Sequence, residues 1–430
     1  MAVTILTTAQ AHTSAYNNQN LVASSTNSAQ TNFKYVVTVQ INNGYYDQDV
    51  TLRIPARPDN SKLYFNPQRI AEAKVKSTFS TTALDFFCPS PSLPSEFKKV
   101  TIGVDEEYGS PVSGFGGASA SYFIWNGAMN AIDFSNYTYS TTTSSKDLTL
   151  SPSLTDTIHY DQKYLYKSWE RGFSTRDLYR MTIDAYNAAG SIIQTSVIEN
   201  FFYDISNPLA YVRNYVTLNC SPYGLNNFTG TIVSKSNGLL DIIPNTTLFK
   251  TARYEFYFKD NGGPPANVSS NTNIVYVDDF CSNYTRYVLH FLNRLGNYDS
   301  FTFNMLSRAN TEKETDSYKK IPYELNGSNY YRYEEYTGDT VIYNTVLTNK
   351  MTLNSDWIND AESLWLLDLI NSPDIKLEIP DDANVAGDSS ALISVKCTLK
   401  NYETKKQVND KLFNITIEIE NSLQDVRQRA

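Results

Sequence analysis

Short runs in which apolar and polar residues alternate recur throughout this chain of 430 residues. A strand with one buried face gives this pattern because successive side chains point to opposite faces of a sheet. The runs follow one another at short intervals and are separated by turn residues. Such spacing is typical of β-sandwiches and small barrels rather than of alternating β and α units. The predicted fold is mainly β, with two or three β-sandwich or barrel-like domains and a few short helices.

Pairs of neighbouring runs predict antiparallel hairpins because turn residues such as Asn-Gly lie between them. The pairs are 33–41 with 50–55, the two halves of 178–202 around Asn187–Gly190, the two halves of 287–306 around Gly296–Asn297, and 391–399 with 411–420. Two polar segments carry no such pattern. The glycine-rich residues 113–120 predict a loop, and Lys313, Lys319 and Lys320, interleaved with acidic residues, predict a solvated charged turn.

Two segments carry helix signals. Residues 66–76 begin with Asn66 as a possible N-cap and Pro67 at the first helical position. Residues 355–370 follow Asn354, which predicts the N-cap of a longer helix.

The longer helix has further signals within it. Glu362 lies three residues after Asn359, a spacing that favours a helix start. The apolar side chains of this helix share one face, which is predicted to pack against the sheet that contains 411–420. They are Ile358, Ala361, Trp365 and Leu369.

The composition divides the chain into four segments. The first is predicted to be a flexible arm because its Ser, Thr, Asn and Gln residues offer few apolar anchors. The segments are the arm 1–31, an N-terminal β domain with a short helix at 32–137, a sandwich-like middle domain at 138–285, and a C-terminal β domain with the helix at 286–430.

The side chains favour a structural or binding protein over an enzyme. There are 32 tyrosines and 21 phenylalanines but only 3 histidines and 4 cysteines. Tyrosine suits both half-buried sheets and protein interfaces, whereas histidine is the usual group that titrates near neutral pH. The net charge of −9 gives no overall electrostatic footprint for nucleic acid, so direct nucleic-acid binding is not expected.

Several partial motifs are too incomplete to define a site. Gly114–Gly117 lacks the spacing and helix of a dinucleotide loop, and residues 381–388 lack ligands of a calcium loop. Asp278-Asp279 and Glu334-Glu335 could supply the two carboxylates of a glycosidase, but the sequence does not give the distance between the carboxyl groups. Ser95–Lys98 fits the S-x-x-K pattern of a serine nucleophile but lacks its partner motifs. The prediction is a non-enzymatic protein with no catalytic, cofactor-binding or metal-ligating residues.

The densest aromatic run is the best candidate for an interface. It could equally form two faces of one strand or stack on sugars or bases. Its members are Tyr330, Tyr331, Arg332, Tyr333 and Tyr336.

The cysteines and the N-terminus favour a protein of a reducing compartment. Cys88, Cys220, Cys281 and Cys397 are scattered, which favours free thiols, although two disulfides remain an alternative. The N-terminus lacks a basic segment followed by a long apolar stretch, so a secretory signal is not expected. No run reaches the ~18 apolar residues of a spanning helix, so no membrane partner is expected.

An ordered set of segments resembles a family of virion structural proteins from tailed phages of Bacteroidota, crAss-like phages among them. The segments are IPARPD (54–59), NPQRIAEA (66–73), YFIWNGAMNAIDF (122–134), LHFLNRLGNYDSFTFNMLSR (289–308), WINDAESLWLLDLINSPDI (357–375) and NDKLFNITIEIE (409–420). Similar segments are spread over about residues 33–425, although the tyrosine-rich stretch 205–285 has no counterpart in the family.

The resemblance implies a neck, collar or tail component of the virion. A cyclic homo-oligomer that docks other neck or tail proteins, located in the virion and assembled in the host cytoplasm, is the expected state. The alternative is a receptor- or glycan-binding tail adhesin, with or without glycan hydrolase activity. An adhesin should bind surface polysaccharide in isolation, whereas a collar subunit should form a closed ring.

Overall fold

The structure is a computed structural model. It describes residues 2–42, 47–79, 96–137, 148–149, 153–169, 179–199, 215–228, 231–260, 271–278, 284–321, 323–325, 331–333, 338–379, 391–399 and 414–423. The chain is mainly β, with several sheets and a few short helices, as predicted.

The chain divides into two compact units that are interleaved in sequence. The first unit consists of Met1–Asp279 and Leu292–Ser300, and the second of Phe280–Phe291 and Phe301–Ala430. The chain therefore starts the second unit, returns briefly to the first and then completes the second. The four-segment division of the sequence stays a prediction.

Two sheets form the N-terminal part of the first unit. One has the order β1-β3-β6 and the other β2-β8-β7-β4-β5. The elements are β1 (Val3–Thr7), β2 (His12–Ser14), β3 (Leu21–Ser25), β4 (Lys34–Asn42), β5 (Asp47–Pro55), β6 (Leu63–Phe65), α1 (Gln68–Glu72), β7 (Phe97–Tyr108), β8 (Ser113–Trp125) and α2 (Ala131–Asn136). The predicted hairpin of β4 and β5 is confirmed.

Alternation along the strands builds the core of this region. Tyr35, Val37 and Val39 of β4 are buried, and the residues between them are half-buried. Val100 and Ile102 on the neighbouring strand β7 join the same hydrophobic cluster. The period of two in the sequence therefore gives one fully covered face of the sheet.

The prediction of a flexible arm over residues 1–31 is wrong. Val3, Leu21 and Ala23 on β1 and β3 are buried in the core, so a few well-placed apolar residues anchor the segment, while Leu6 and Tyr16 remain exposed. Its polar groups are satisfied internally: Gln19 is buried, accepts a hydrogen bond from the Tyr122 hydroxyl at 2.8 Å and donates one to the Ala15 carbonyl at 2.9 Å. Composition alone missed this because it ignores where the apolar residues fall.

The glycine-rich segment 113–120 is a strand and not the predicted loop. It lies in β8, which pairs antiparallel with β7, with an irregularity in register between Val104 and Glu106. The backbone N–H of Gly117 donates to the Asp105 carboxylate there at 2.8 Å. A Cβ at Gly117 would come within 1.8 Å of the Val104 carbonyl oxygen, so the strands approach closely because the residue has no side chain.

The helix predicted over 66–76 is shorter than expected. It spans only Gln68–Glu72, and Pro67 occupies the N-cap rather than the first helical position. The Asn66 side chain nevertheless accepts from the backbone N–H of Gln68 at 3.1 Å, so it still contributes to the helix start.

The middle of the chain forms a six-stranded and a three-stranded sheet. Their orders are β10-β17-β16-β12-β13-β15 and β14-β11-β9. The elements are β9 (Leu148–Thr149), β10 (Thr155–Ile158), β11 (Leu165–Trp169), β12 (Tyr179–Tyr186), β13 (Ile192–Glu199), β14 (Tyr215–Asn219), α3 (Pro222–Asn226), β15 (Thr231–Lys235), β16 (Arg253–Asp260) and β17 (Asn273–Val277). β12 and β13 form the predicted hairpin, whose turn includes a bond from the Gly190 N–H to the Asn187 carbonyl.

A seven-stranded sheet follows, with the order β19-β18-β24-β25-β26-β23-β20, together with the two-stranded pair β21-β22. The elements are β18 (Tyr287–Leu292), β19 (Tyr298–Phe303), β20 (Arg308–Lys319), β21 (Tyr323–Leu325), β22 (Tyr331–Tyr333), β23 (Thr340–Asn354), α4 (Asp360–Trp365), α5 (Leu367–Asn371), β24 (Ile375–Ile379), β25 (Ala391–Cys397) and β26 (Thr416–Asn421). The predicted antiparallel pairing of the last two strands is confirmed.

The helix predicted over 355–370 is two short helices, α4 and α5. Asn354 ends strand β23 and is not a cap. The N-cap of α4 is Asn359, whose side chain accepts from the Glu362 N–H at 2.9 Å, while the Glu362 carboxylate accepts from the Asn359 N–H at 2.8 Å. This reciprocal capping box fixes the start of the helix later than the apolar pattern suggests.

The predicted apolar face of that helix is partly confirmed. Ile358 and Leu369 are buried in one cluster with Ile417 of β26, so the packing against the last strand is confirmed. Trp365 is only half-buried, and Ala361 is exposed because the helix begins just before it and is interrupted at Leu366.

Candidate assembly surface

A two-stranded ribbon at the edge of the seven-stranded sheet is the main exposed feature of the second unit. β20 pairs antiparallel with β23 along its whole length, and every residue of β20 is exposed. β26 pairs with β23 over Lys350–Asn354. Within the described residues, Thr340–Asn349 of β23 pairs with β20 alone. We call residues 308–319 together with 340–349 the ribbon.

One face of the ribbon is acidic. Glu312, Glu314 and Asp316 alternate along β20, so their side chains share a face. Glu312 forms an ion pair with Lys350, and Asp316 accepts from the Asn344 amide at 3.0 Å. The hydrogen bond to Glu312 and its charge raise the pKa of Lys350, which therefore stays charged.

The end of the ribbon farthest from β26 carries exposed apolar and aromatic groups. Tyr343 is 58% and Tyr318 51% exposed, with their ring centroids 6.1 Å apart. Ile342, next to Tyr343, and Ile321, three residues after Tyr318, are also exposed. The backbone N–H of Lys320 donates to the Asp339 carbonyl at 2.8 Å and links the strands here. Large exposed side chains grouped in this way are typical of protein contacts.

The predicted aromatic interface run follows this end of the ribbon in sequence. Its residues Tyr331, Arg332 and Tyr333 form β22, and Tyr331 and Tyr333 pair with Leu325 and Tyr323 of β21. Tyr330 and Tyr336 lie outside the described residues, as do the side-chain environments of β22. Their role as interface residues stays a prediction.

The charged turn predicted around Lys313 and Lys319 is wrong, because both residues lie in strand β20. The sequence shows no apolar alternation here because neither face of the strand is buried. A strand signal is present on the partner strand, where the β-branched residues valine, isoleucine and threonine recur from Thr340.

The three histidines have separate structural partners. His12 is buried and stacks on Phe123 with ring centroids 5.2 Å apart. His159 lies 3.3 Å from Asp161. His290 Nε2 lies 2.6 Å from Glu378 Oε2, and both side chains are buried. Within the described part of the chain, no group of three or more His, Cys, Asp or Glu residues is arranged to hold a metal ion.

The described cysteines are free thiols. Cys220 is buried, and burial raises the pKa of its thiol well above the ordinary value. Burial also raises the pKa of Cys397, which is partly exposed. Cys88 and Cys281 lie outside the described residues. Neither described thiol is an activated nucleophile, because activation needs a lowered pKa.

Where the structure describes them, the remaining partial motifs form no site. Gly114–Gly117 is in a strand and not at the start of a helix, so the phosphate-loop geometry is absent there. Asp278 is exposed. The other candidate positions, which are Ser95, Asp279, Glu334, Glu335 and residues 381–388, lie outside the described residues.

Comparison with known proteins does not assign the chain to a family. No family model and no curated protein sequence matches it. Among solved structures, it has a weak similarity to the crystal structure of the calcium binding domain CBD12 of CALX1.1. The two are 8% identical with a TM-score of 0.19, and the match covers 62% of this chain and 82% of the other.

The described helices are short. None of them has the length and apolar character needed to cross a membrane.

Proposed function

We propose that the chain is a non-enzymatic structural subunit of a phage virion. It would serve as a neck or collar ring or tail subunit that assembles with copies of itself and docks other neck or tail proteins. Its location would be the virion, after assembly in the host cytoplasm. The ordered segments that resemble virion proteins of Bacteroidota phages support this proposal.

The ribbon is the observation that carries the proposal. A two-stranded hairpin alone is marginally stable in water, and every residue of β20 in this one is exposed at the edge of the sheet. An exposed strand edge is also a template for pairing with another chain. The twelve exposed residues of β20 would contribute most to stability when a neighbouring copy of the subunit covers the strand.

The charged groups of the ribbon favour a specific contact over aggregation. Lys313 and Glu314 on its edge strand oppose unspecific strand addition, because a neighbour that leaves them unpaired loses free energy. The exposed apolar end, with Tyr318 and Tyr343, provides the part of the surface that gains most from burial.

The test is the mass of the particle in solution. The full-length chain should form a closed oligomer by native mass spectrometry, and a variant in which residues 310–348 are replaced by a short Gly-Ser linker should be monomeric. Circular dichroism and thermal melting check that the shortened variant keeps its fold. A full-length chain that remains monomeric and captures no other virion protein contradicts the proposal, as does a ribbon-free variant that still forms the ring.

A further inference from the structure

A pocket of about 300 Å³ lies within the second unit, apart from the ribbon. Its lining combines four aromatic or apolar residues, one of them Met305, with four polar residues, one of them Ser355. The apolar members used below are Tyr284, Leu306 and Trp357, and the polar members are Asn354, Asp356 and Asn414. A pocket of this size with a few placed polar groups is typical of a small-ligand site.

Two aromatic rings at the pocket are exposed to solvent. Trp357 is 64% exposed and Tyr284 48%. Trp357 lies next in sequence to the buried Ile358, so the chain turns the tryptophan outwards while anchoring its neighbour in the core. A tryptophan left in water at a concave site offers a flat apolar surface with little loss of conformational entropy on binding.

The walls of the pocket are held in place by hydrogen bonds. The Asn354 amide donates to the Leu306 carbonyl at 2.5 Å and its oxygen accepts from the Thr416 hydroxyl at 2.6 Å. The buried Ser355 accepts from the Ile415 N–H at 2.8 Å, and its own N–H donates to the Ile415 carbonyl at 2.9 Å. The site is therefore preorganised, which lowers the cost of binding.

The polar groups that face a ligand are a carboxylate and an amide. Asp356 is exposed, and one of its carboxylate oxygens accepts from the backbone N–H of Trp357 at 2.7 Å, which restricts the rotation of the carboxylate. Asn414 also lines the pocket and is exposed. A carboxylate accepts hydrogen bonds from hydroxyls, and an amide both donates and accepts.

We infer that this pocket binds a neutral pyranose unit of an oligosaccharide. The C–H face of such a ring packs on an exposed indole, while its hydroxyls lie at the rim within reach of a carboxylate and an amide. Asp356 is the charged residue of the lining, so an acidic sugar would meet a like charge there. The inference concerns binding alone and is independent of ring assembly.

The test is isothermal titration of the full-length protein with cellohexaose, chitohexaose and maltohexaose, and with a galacturonic acid hexamer as the acidic comparison. At least one neutral hexasaccharide should bind with a dissociation constant on the order of 1 mM or below, and the acidic hexamer should bind at least about tenfold more weakly. Trp357→Ala should weaken binding about tenfold or more because it removes the stacking surface. Asp356→Asn removes the negative charge, so the dissociation constants of the neutral and the acidic hexamers should become more similar.

Tyr276→Ala is the matched control, because it truncates an exposed aromatic residue in the first unit. It should leave the titration unchanged. The inference is overturned if none of the neutral hexasaccharides binds, or if Trp357→Ala binds them as well as the natural chain. The sugar dissociation constants do not depend on whether the subunit forms a ring, because the oligomeric state is measured separately by native mass spectrometry.

Discussion

A single residue, Trp365, is expected to contribute measurably to the packing of the second unit. Its ring lies 5.6 Å from that of Phe291 and 6.1 Å from that of Phe301, measured between centroids, but the side chain is only half-buried. Trp365→Ala should therefore lower the free energy of unfolding by roughly 2–3 kcal/mol, less than for a fully buried tryptophan. Urea denaturation measures the change.

Trp357→Ala is the control for this loss. It removes the same atoms from an exposed position, so the free energy of unfolding should change by only about 0.5 kcal/mol. Equal losses in the two variants would show that burial of Trp365 does not support the core.

Gly117 tests the close approach of β7 and β8. Gly117→Ala places a methyl group against the Val104 carbonyl and should destabilise the fold by roughly 1–3 kcal/mol or more. Gly116→Ala is the matched variant one residue away, because a Cβ there meets nothing within 4 Å. Thermal melting should separate the two; similar melting temperatures would mean that the strands can move apart at little cost.

At the scale of elements, the middle sheets should be sensitive to alkali. Burial raises the pKa values of Tyr164, Tyr254 and Cys220 well above their ordinary range. These groups ionise more easily in the unfolded chain, so their stabilising effect is complete below the unfolded pKa values of about 8.5–10 and is lost as the pH rises above them. The urea midpoint should therefore fall between pH 8 and pH 11.

The double variant Tyr164→Phe/Tyr254→Phe tests this cause. At pH 7 it should cost on the order of 2 kcal/mol, because Tyr164 loses its bond to Asp156 and Tyr254 its bond to the Cys220 carbonyl. The midpoint should nevertheless fall less between pH 8 and pH 11 than in the natural chain. Parallel pH curves would place the alkaline sensitivity elsewhere.

The sequence predicts an element well where its local signals agree with one another. The hairpin of β12 and β13 combines alternation on both strands with a turn that contains Gly190 at a positive φ of 80°. Prediction from sequence fails where contacts between distant residues determine the local secondary structure. At Gly117 the close approach of β7 places an apparent loop in a strand. The start of α4 differs from this case, because the capping box of Asn359 and Glu362 is a local signal that competes with the equally suitable cap residue Asn354.

The candidate site shows the same limit. Composition identifies the aromatic run, but the sequence does not predict strand β20 of the ribbon, because a strand with two exposed faces has no apolar period. The pocket at Trp357 was also missed, since its walls come from segments distant in sequence that hydrogen bonds bring together.

At the scale of the whole molecule, assembly should protect the ribbon from protease. Trypsin should cut the isolated subunit after Lys313 or Lys319, because both lie on an edge strand whose residues are all exposed. In the assembled particle the same sites should be cut at least about tenfold more slowly if a neighbour orders the ribbon. Peptide mass mapping over time gives both rates.

Lys74 in the first unit is the reference site for that experiment, because it is exposed and far from the ribbon in sequence. Equal protection at Lys74 and in the ribbon would indicate general shielding in the particle rather than a contact made by the ribbon.

The interleaving of the two units has a consequence for synthesis and for evolution. The first unit needs Leu292–Ser300, where Asn297 donates to the Leu165 carbonyl at 3.0 Å and the Gly296 carbonyl accepts from Ser77. A nascent chain therefore cannot complete its first unit on the ribosome until the opening strand of the second has also emerged. For the same reason, a single genetic crossover near residue 280 exchanges neither unit intact, so recombination between related genes would have to transfer the two as one block.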